Sequence, residues 1–203
     1  MTKVLLGISG GNSFRDDEQM ENYYRNFDID YVHEDKYWMD WLMWSFEDVF
    51  DTVRLKMPGA DNAHYTIWKI VFEKYLHKFE DRDIVLVAHS LGTTFLLKYL
   101  SENSLHVREL HLVAPFVSDT FQSPDFHEST GTFTFDYESV HKIAPQCGKL
   151  WIWYSEDDDV CTSLHAEYLH KEVENSELKH ISGRGHFNQS TFFELFEKLK
   201  KDI

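Results

Sequence analysis

Short apolar and β-branched runs alternate along this chain with stretches whose apolar positions recur every three or four residues. That alternation builds a parallel sheet with helices packed on both faces. Six strands are predicted: Lys3 to Ile8, Asp51 to Lys56, Ile84 to Ala88, Val107 to Ala114, Leu150 to Tyr154 and Glu177 to Ile181. The third and fifth are unbroken apolar runs, the pattern of strands covered on both sides. Between the second and third, Trp68, Val71, Phe72, Tyr75, Leu76 and Phe79 fall at helical spacing, with Asp61 or Asn62 as N-cap. Further helices are expected over Leu91 to Leu100, Ser163 to Val173 and Thr191 to Lys200, the last carrying Phe192, Phe193, Leu195, Phe196 and Leu199. Trp38, Trp41, Leu42, Phe46 and Val49 share one helical face and read as core, whereas Tyr37, Trp44 and Phe50 lie off that face as a possible greasy wall of a binding site.

Two segments break the pattern. Asn12 to Lys36 is long, polar and acidic, and Phe116 to Thr134 is rich in Ser, Thr and Phe and contains Pro124 and Gly131. Each follows the C-terminal end of a predicted strand, where open α/β sheets bind ligands, so both are expected to wall a site. No linker, repeat or low-complexity tract divides the chain, which is read as one domain over residues 1–203 with no room for a large cap.

Composition narrows the functional classes. With 42% hydrophobic residues in a chain of 203, folding can rest on core packing alone. A net charge of −15 repels phosphate backbones and anionic lipid, so neither nucleic acid nor membrane is expected as a partner. Two cysteines, Cys147 and Cys161, are too few for a disulfide framework and lack zinc-site spacing; both read as inert thiols. The first apolar run, Val4 to Ile8, is too short for a signal peptide or a membrane span, and a cytoplasmic location is expected.

The chemistry concentrates in three places. In Val85-Leu86-Val87-Ala88-His89-Ser90-Leu91-Gly92, a buried strand runs into a serine and then into an apolar helix. A serine on so sharp a turn needs small residues two before and two after it, and Ala88 and Gly92 stand there. The plainer alternative is a helix-capping serine at an ordinary βα turn. A serine hydroxyl needs a base, and among the 12 histidines His186 is the best placed, in the glycine-rich turn Ser182-Gly183-Arg184-Gly185-His186 after the last strand. His77, His165 and His170 fall on predicted helices and read as surface residues. The base in turn needs an acid, and Ser155-Glu156-Asp157-Asp158-Asp159 follows the fifth strand, three adjacent aspartates leaving the choice open.

Together, Ala88-His89-Ser90-Leu91-Gly92, Ser155-Glu156-Asp157-Asp158-Asp159-Val160 and Gly185-His186-Phe187 resemble the α/β-hydrolase family, in particular its small lidless branch that includes retinoblastoma-binding protein 9 and bacterial relatives. The resemblance implies a three-layer α/β sandwich, a six-stranded parallel sheet of order 2-1-3-4-5-6, and a serine hydrolase using Ser90, His186 and Asp158. It also implies an oxyanion hole with one N–H from Leu91 and a second from Ser9 or Gly10. Ala88 stands where Gly is commoner, Val160-Cys161-Thr162 replaces the family's apolar-Val-Pro, and the first turn, Gly7-Ile8-Ser9-Gly10-Gly11-Asn12, departs from the usual form. The expected reaction is hydrolysis of a small ester-type substrate, with no metal or organic cofactor. The rival expectation is a protein-binding module that keeps the fold with an idle triad and docks through the acidic, aromatic region from Asn12 to Phe50.

Overall fold

A computed structural model describes residues 3–26, 37–122 and 129–201. Its six strands form one parallel sheet of order β2-β1-β3-β4-β5-β6, with β1 Lys3–Ile8, β2 Asp51–Arg54, β3 Asp83–His89, β4 Val107–Val113, β5 Cys147–Tyr154 and β6 Ser176–His180. Helices α1 (Asp17–Asn26), α2 (Trp38–Ser45), α3 (Tyr65–Lys78), α4 (Leu91–Glu102), α5 (Ser163–Glu172) and α6 (Phe193–Lys201) lie between and around the strands.

Strand side chains alternate between faces, and the alternation sorts the core into two halves. Val4, Leu6 and Ile8 of β1 and Leu86 and Ala88 of β3 pack with Trp68 and Phe72 of α3, Phe95 and Tyr99 of α4, and Leu169 of α5. The intervening Leu5, Val85 and Val87 pack on the other side with Trp38, Leu42 and Met43 of α2 and Leu195 and Leu199 of α6. The result is three layers. On the α6 side β4 also buries an acid, Glu109, set among Arg108, His111, Lys149 and Lys198 at 3.5, 3.5, 3.9 and 3.8 Å. Against the cost of burial, His111 and the two lysines hold its pKa below the ordinary carboxylate value.

Several sequence expectations are corrected. Asp61 and Asn62 lie in a short 3-10 turn, and the residue before α3 is His64, whose side chain makes no capping bond. The segment expected to be irregular from Asn12 contains α1, whose first turn is held by Asp16 Oδ1 accepting from Gln19 N–H at 2.8 Å. Positions 27–36 and 123–128 of the two expected walls lie outside the described residues. β5 starts three residues before the expected Leu150, because Cys147 and Lys149 pair with Val107 and Glu109 although Lys149 is exposed. The expected aromatic stripe is also redistributed: Val49 is exposed because α2 ends at Ser45, Phe50 joins the core, and Trp44 faces solvent at 68% exposure. Tyr37 alone of the three expected wall residues borders the site.

His165, read as a surface residue, is fully buried. Its Nδ1 accepts from the Val117 N–H at 3.0 Å and its Nε2 meets Gln122 Oε1 at 3.1 Å, so α5 anchors the chain leaving β4. Burial lowers its pKa from 6.5 to about 4. The unfolded chain therefore takes up a proton that the folded ring refuses. Stability from this ring is complete above about pH 6.5 and is lost as the pH falls toward about 4, by an amount on the order of 3 kcal/mol. In His165→Gln the urea midpoint is expected to decline less steeply across that interval than in the wild type; identical slopes would contradict the assignment.

Candidate active site

The site forms at the C-terminal edge of the sheet, from the turns that follow β1, β3, β5 and β6. Ser90 closes β3 and opens α4 with φ +53° and ψ −125°, a backbone conformation that costs a non-glycine residue roughly 1–3 kcal/mol. The surroundings hold it there. Ser90 N–H donates to Val113 O at 3.1 Å, and Ser90 O accepts from Thr93 N–H at 2.8 Å and from Thr93 Oγ1 at 2.6 Å. Gly92 lets α4 descend onto the end of β1: a Cβ there would stand 2.6 Å from Ile8 O and 2.8 Å from Ser9 O. Gly10 makes a similar approach, since a Cβ there would lie 2.9 Å from Ser90 Cβ.

His186 Nε2 is 2.9 Å from Ser90 Oγ, positioned to accept the hydroxyl proton. Its Nδ1–H donates to Asp158, with both carboxylate oxygens at 3.0 Å. Asp158 is almost fully buried, and its Oδ1 also accepts the N–H groups of Val160 and Cys161 at 2.8 Å each, so the tight turn after β5 aims this carboxylate at the ring. Asp157 has a different task. Its Oδ1 accepts from Ser155 Oγ and, at 3.1 Å, from the N–H of Gly185, tying the β5 turn to the histidine loop. The Ser155 hydroxyl and these backbone donors lower its pKa. Asp159 is exposed.

The histidine loop is pinned from several sides. Gly185 and Phe187 take positive φ (+49° and +53°), and Phe187 is buried against Phe192 with ring centres 5.2 Å apart. Trp38 N–H at the start of α2 donates to Gln189 O at 3.1 Å. His89, which the sequence reading passed over inside the serine pentad, reaches under the loop. Its Nε2–H donates to His186 O at 2.8 Å, and the Tyr37 hydroxyl donates to its Nδ1 at 2.6 Å. Burial, reinforced by the neighbouring His186, drives the His89 pKa well below its ordinary value. Tyr37 also lies beneath the guanidinium of Arg54, 5.0 Å from the ring centre. Arg54, a second residue the sequence reading missed, pairs with Asp40 and donates to Ser9 Oγ at 2.9 Å.

Ser9 and Gly10 both border the site, but the Ser9 hydroxyl turns toward Met39 Sδ at 3.6 Å, whereas Gly10 faces Ser90. Leu91, in the first turn of α4, has an N–H without an intrahelical acceptor. Asp158, Cys161 and His186 bring three potential metal-ligand atoms within 4.8 Å of one another. The carboxylate and Nδ1 of this set are already bonded to each other and to backbone donors, which fits a hydrogen-bonded relay better than a cation site. Cys147, away from the site, has its thiol pushed up to about 12 by burial.

Comparison with known proteins defines the class. A family model described as serine hydrolase matches residues 32–202, and the chain belongs to that family. A search of curated proteins finds no match. Among solved structures, the ydeN gene product of B. subtilis superposes with a TM-score of 0.72 at 19% identity, covering 98% of each chain. Est1E from Butyrivibrio proteoclasticus, solved with ferulic acid bound, gives 0.65 at 13% identity over 98% of this chain and 87% of that one. The monoacylglycerol lipase of Paleococcus ferrophilus gives 0.64 at 12% identity over 99% and 94%. The sheet order and helical layers are therefore those of an α/β hydrolase. Among the described residues, no helix is long and apolar enough to cross a membrane.

Because Tyr37 caps the only ring nitrogen of His89 that does not face the His186 carbonyl, His89 is expected to remain the neutral Nε2–H tautomer through the range in which an ordinary histidine takes up a proton. Nitrogen-15 NMR of the imidazoles reads this directly. A His89 resonance that titrates near an ordinary histidine value would contradict it.

Proposed function

We propose that the protein hydrolyses small carboxylic esters through an acyl-enzyme on Ser90, with His186 as general base and acid and Asp158 as the group that orients and stabilises the imidazolium. The observation that carries the reading is the continuous chain of contacts from Ser90 Oγ to His186 Nε2 at 2.9 Å and from His186 Nδ1 to Asp158 at 3.0 Å, built on a serine with positive φ. Family membership supports it.

In this mechanism Ser90 Oγ attacks the ester carbonyl while its proton passes to His186 Nε2. The negative charge that develops on the carbonyl oxygen is taken by the N–H groups of Leu91 and Gly10; Gly10 is preferred to Ser9 because a side chain at Gly10 would run into Ser90 whereas the Ser9 hydroxyl turns to Met39. Collapse breaks the C–O bond, and the imidazolium returns its proton to the departing alkoxide. Water then attacks the acyl-enzyme by the same route, releasing the acid and restoring Ser90. Tyr37 and His89 act as positioning residues, since they fix the backbone of His186 without reaching the reacting atoms. The partner is a small-molecule ester. The acidic composition and the reduced thiols of Cys147 and Cys161 fit a reducing, cytoplasmic setting.

A fluorophosphonate should modify Ser90 alone and stoichiometrically, because it combines a base with an oxyanion site; folded protein that resists the reagent would favour an idle triad. Among the aspartates, Asp158→Asn should lower kcat by more than about 100-fold, the comparable change in a serine protease costing about 10⁴-fold. Asp157→Asn should cost far less, because an amide oxygen can still accept from Gly185. The reverse order of effects would move the acid by one position.

A further inference from the structure

The carboxylate that faces His186 sits at one end of a series of hydrogen bonds whose other end is anchored beside Ser90. The segment leaving β4 is fixed to α4, because Phe116 N–H donates to Thr93 Oγ1 at 3.1 Å and Phe116 O accepts from Thr94 Oγ1 at 2.7 Å. The next residue, Val117, gives its N–H to His165 Nδ1 at 3.0 Å. A backbone N–H can only donate, so Nδ1 carries no proton and the hydrogen of the neutral ring sits on Nε2. Burial keeps that ring neutral, with its pKa lowered to about 4.

His165 Nε2–H then donates to Gln122 Oε1 at 3.1 Å, and the Gln122 amide nitrogen donates to Val160 O at 2.5 Å. Both ends demand this orientation. A flipped amide would set its NH2 against the His165 N–H and its oxygen against the Val160 carbonyl. Val160 O and Cys161 N–H belong to one peptide group, and that N–H donates at 2.8 Å to Asp158 Oδ1, an oxygen that also accepts from His186 Nδ1. From Val117 onward every bond points toward the carboxylate, so each donor is polarised by the one behind it. Half-buried Gln122 holds the oxygen end of the 160–161 peptide and Asp158 the nitrogen end. Released at its oxygen, the peptide can turn and draw its N–H off Oδ1.

We propose that Gln122, aligned by His165, is a positioning residue for the reaction: it fixes the peptide between Val160 and Cys161 so that the Asp158 carboxylate stays aimed at His186 Nδ1. The inference rests on the Ser90–His186–Asp158 reading and adds to it a residue that touches none of the reacting atoms. A loosened carboxylate stabilises the imidazolium less well, which lowers kcat and leaves ester binding as it was.

The test uses Gln122→Met, which keeps the bulk of the side chain, Gln122→Ala, and Thr162→Val. The last removes a neighbouring bond between the same two segments, Thr162 Oγ1 to Phe121 O at 2.9 Å. In hydrolysis of p-nitrophenyl acetate both Gln122 variants should lose about 3- to 10-fold in kcat, the effect of one hydrogen bond, with KM held within roughly twofold. They carry the same prediction, so either one that folds decides it. The proton between His186 Nδ1 and Asp158, observed far downfield by NMR in the fluorophosphonate-labelled enzyme, should move upfield in both. Thr162→Val should keep its kcat and its proton line. Full kcat in Gln122→Met beside a loss in Gln122→Ala would show that the side chain only fills space and would overturn the proposal. An unmoved proton line, or an equal loss in Thr162→Val, would overturn it too, with the nucleophile left standing. If Ser90 of the wild type does not label, the triad reading itself falls and takes this role for Gln122 with it.

Discussion

The backbone of Ser90 is the constraint from which the site follows. A serine held at φ +53° between β3 and α4 can stand clear of the sheet only if the elements beside it come unusually close. Gly92 permits this by allowing α4 within touching distance of the Ile8 and Ser9 carbonyls. Gly10 then falls against the serine, beside the first turn of α4. Hydrogen bonds to Val113 O and from Thr93, with the burial of Ala88 and Leu91 on either side, offset the strain. A methyl group at position 92 would press on backbone carbonyls that have nowhere to retreat.

The histidine loop shows how a flexible segment becomes a fixed one. Two glycines, Gly183 and Gly185, open the turn, yet the loop meets rigid partners on three sides: Asp157 from the β5 turn, His89 from β3 and the first N–H of α2. His89 carries a particular burden. It lies with its ring centre 4.8 Å from that of His186, so a charge on it would oppose the imidazolium of the proposed mechanism. Burial, reinforced by His186, keeps it neutral; the Tyr37 hydroxyl bonded to its Nδ1 is steadied by the Arg54–Asp40 pair above it.

Much of this was legible in the chain because burial writes a plain signal. The buried stretches of β3 and β5 read in place because both faces are covered, although β5 begins earlier than expected, and their serine and aspartate turns follow directly. What escaped the sequence was set by tertiary contact. Helix α1 buries none of its residues, so it has no apolar stripe to read and depends on the cap at Asp16. His165 looked like a helix-surface residue because nothing local shows that Val117 will offer it a buried N–H. His89 did leave a trace: the alternation Val85, Val87, His89 points it at the α2 side of the sheet, beneath the loop that carries His186. Arg54 could be sensed only as a charge at the C-terminal end of an edge strand, and its bonds to Asp40 and Ser9 need the fold. Which of three aspartates faces the ring was likewise a question of turn geometry, settled locally by the two N–H groups that Asp158 Oδ1 gathers.

The central claim is that the elbow presents Ser90 to the imidazole and to two backbone donors at once. A crystal structure of the phosphonylated enzyme tests it most directly, because the adduct places a phosphoryl oxygen where the oxyanion would form. The account predicts a bond from Ser90 Oγ to phosphorus, with that oxygen roughly 2.7–3.1 Å from the nitrogens of both Leu91 and Gly10. A phosphoryl oxygen turned into solvent, or bound by neither of these N–H groups, would contradict it.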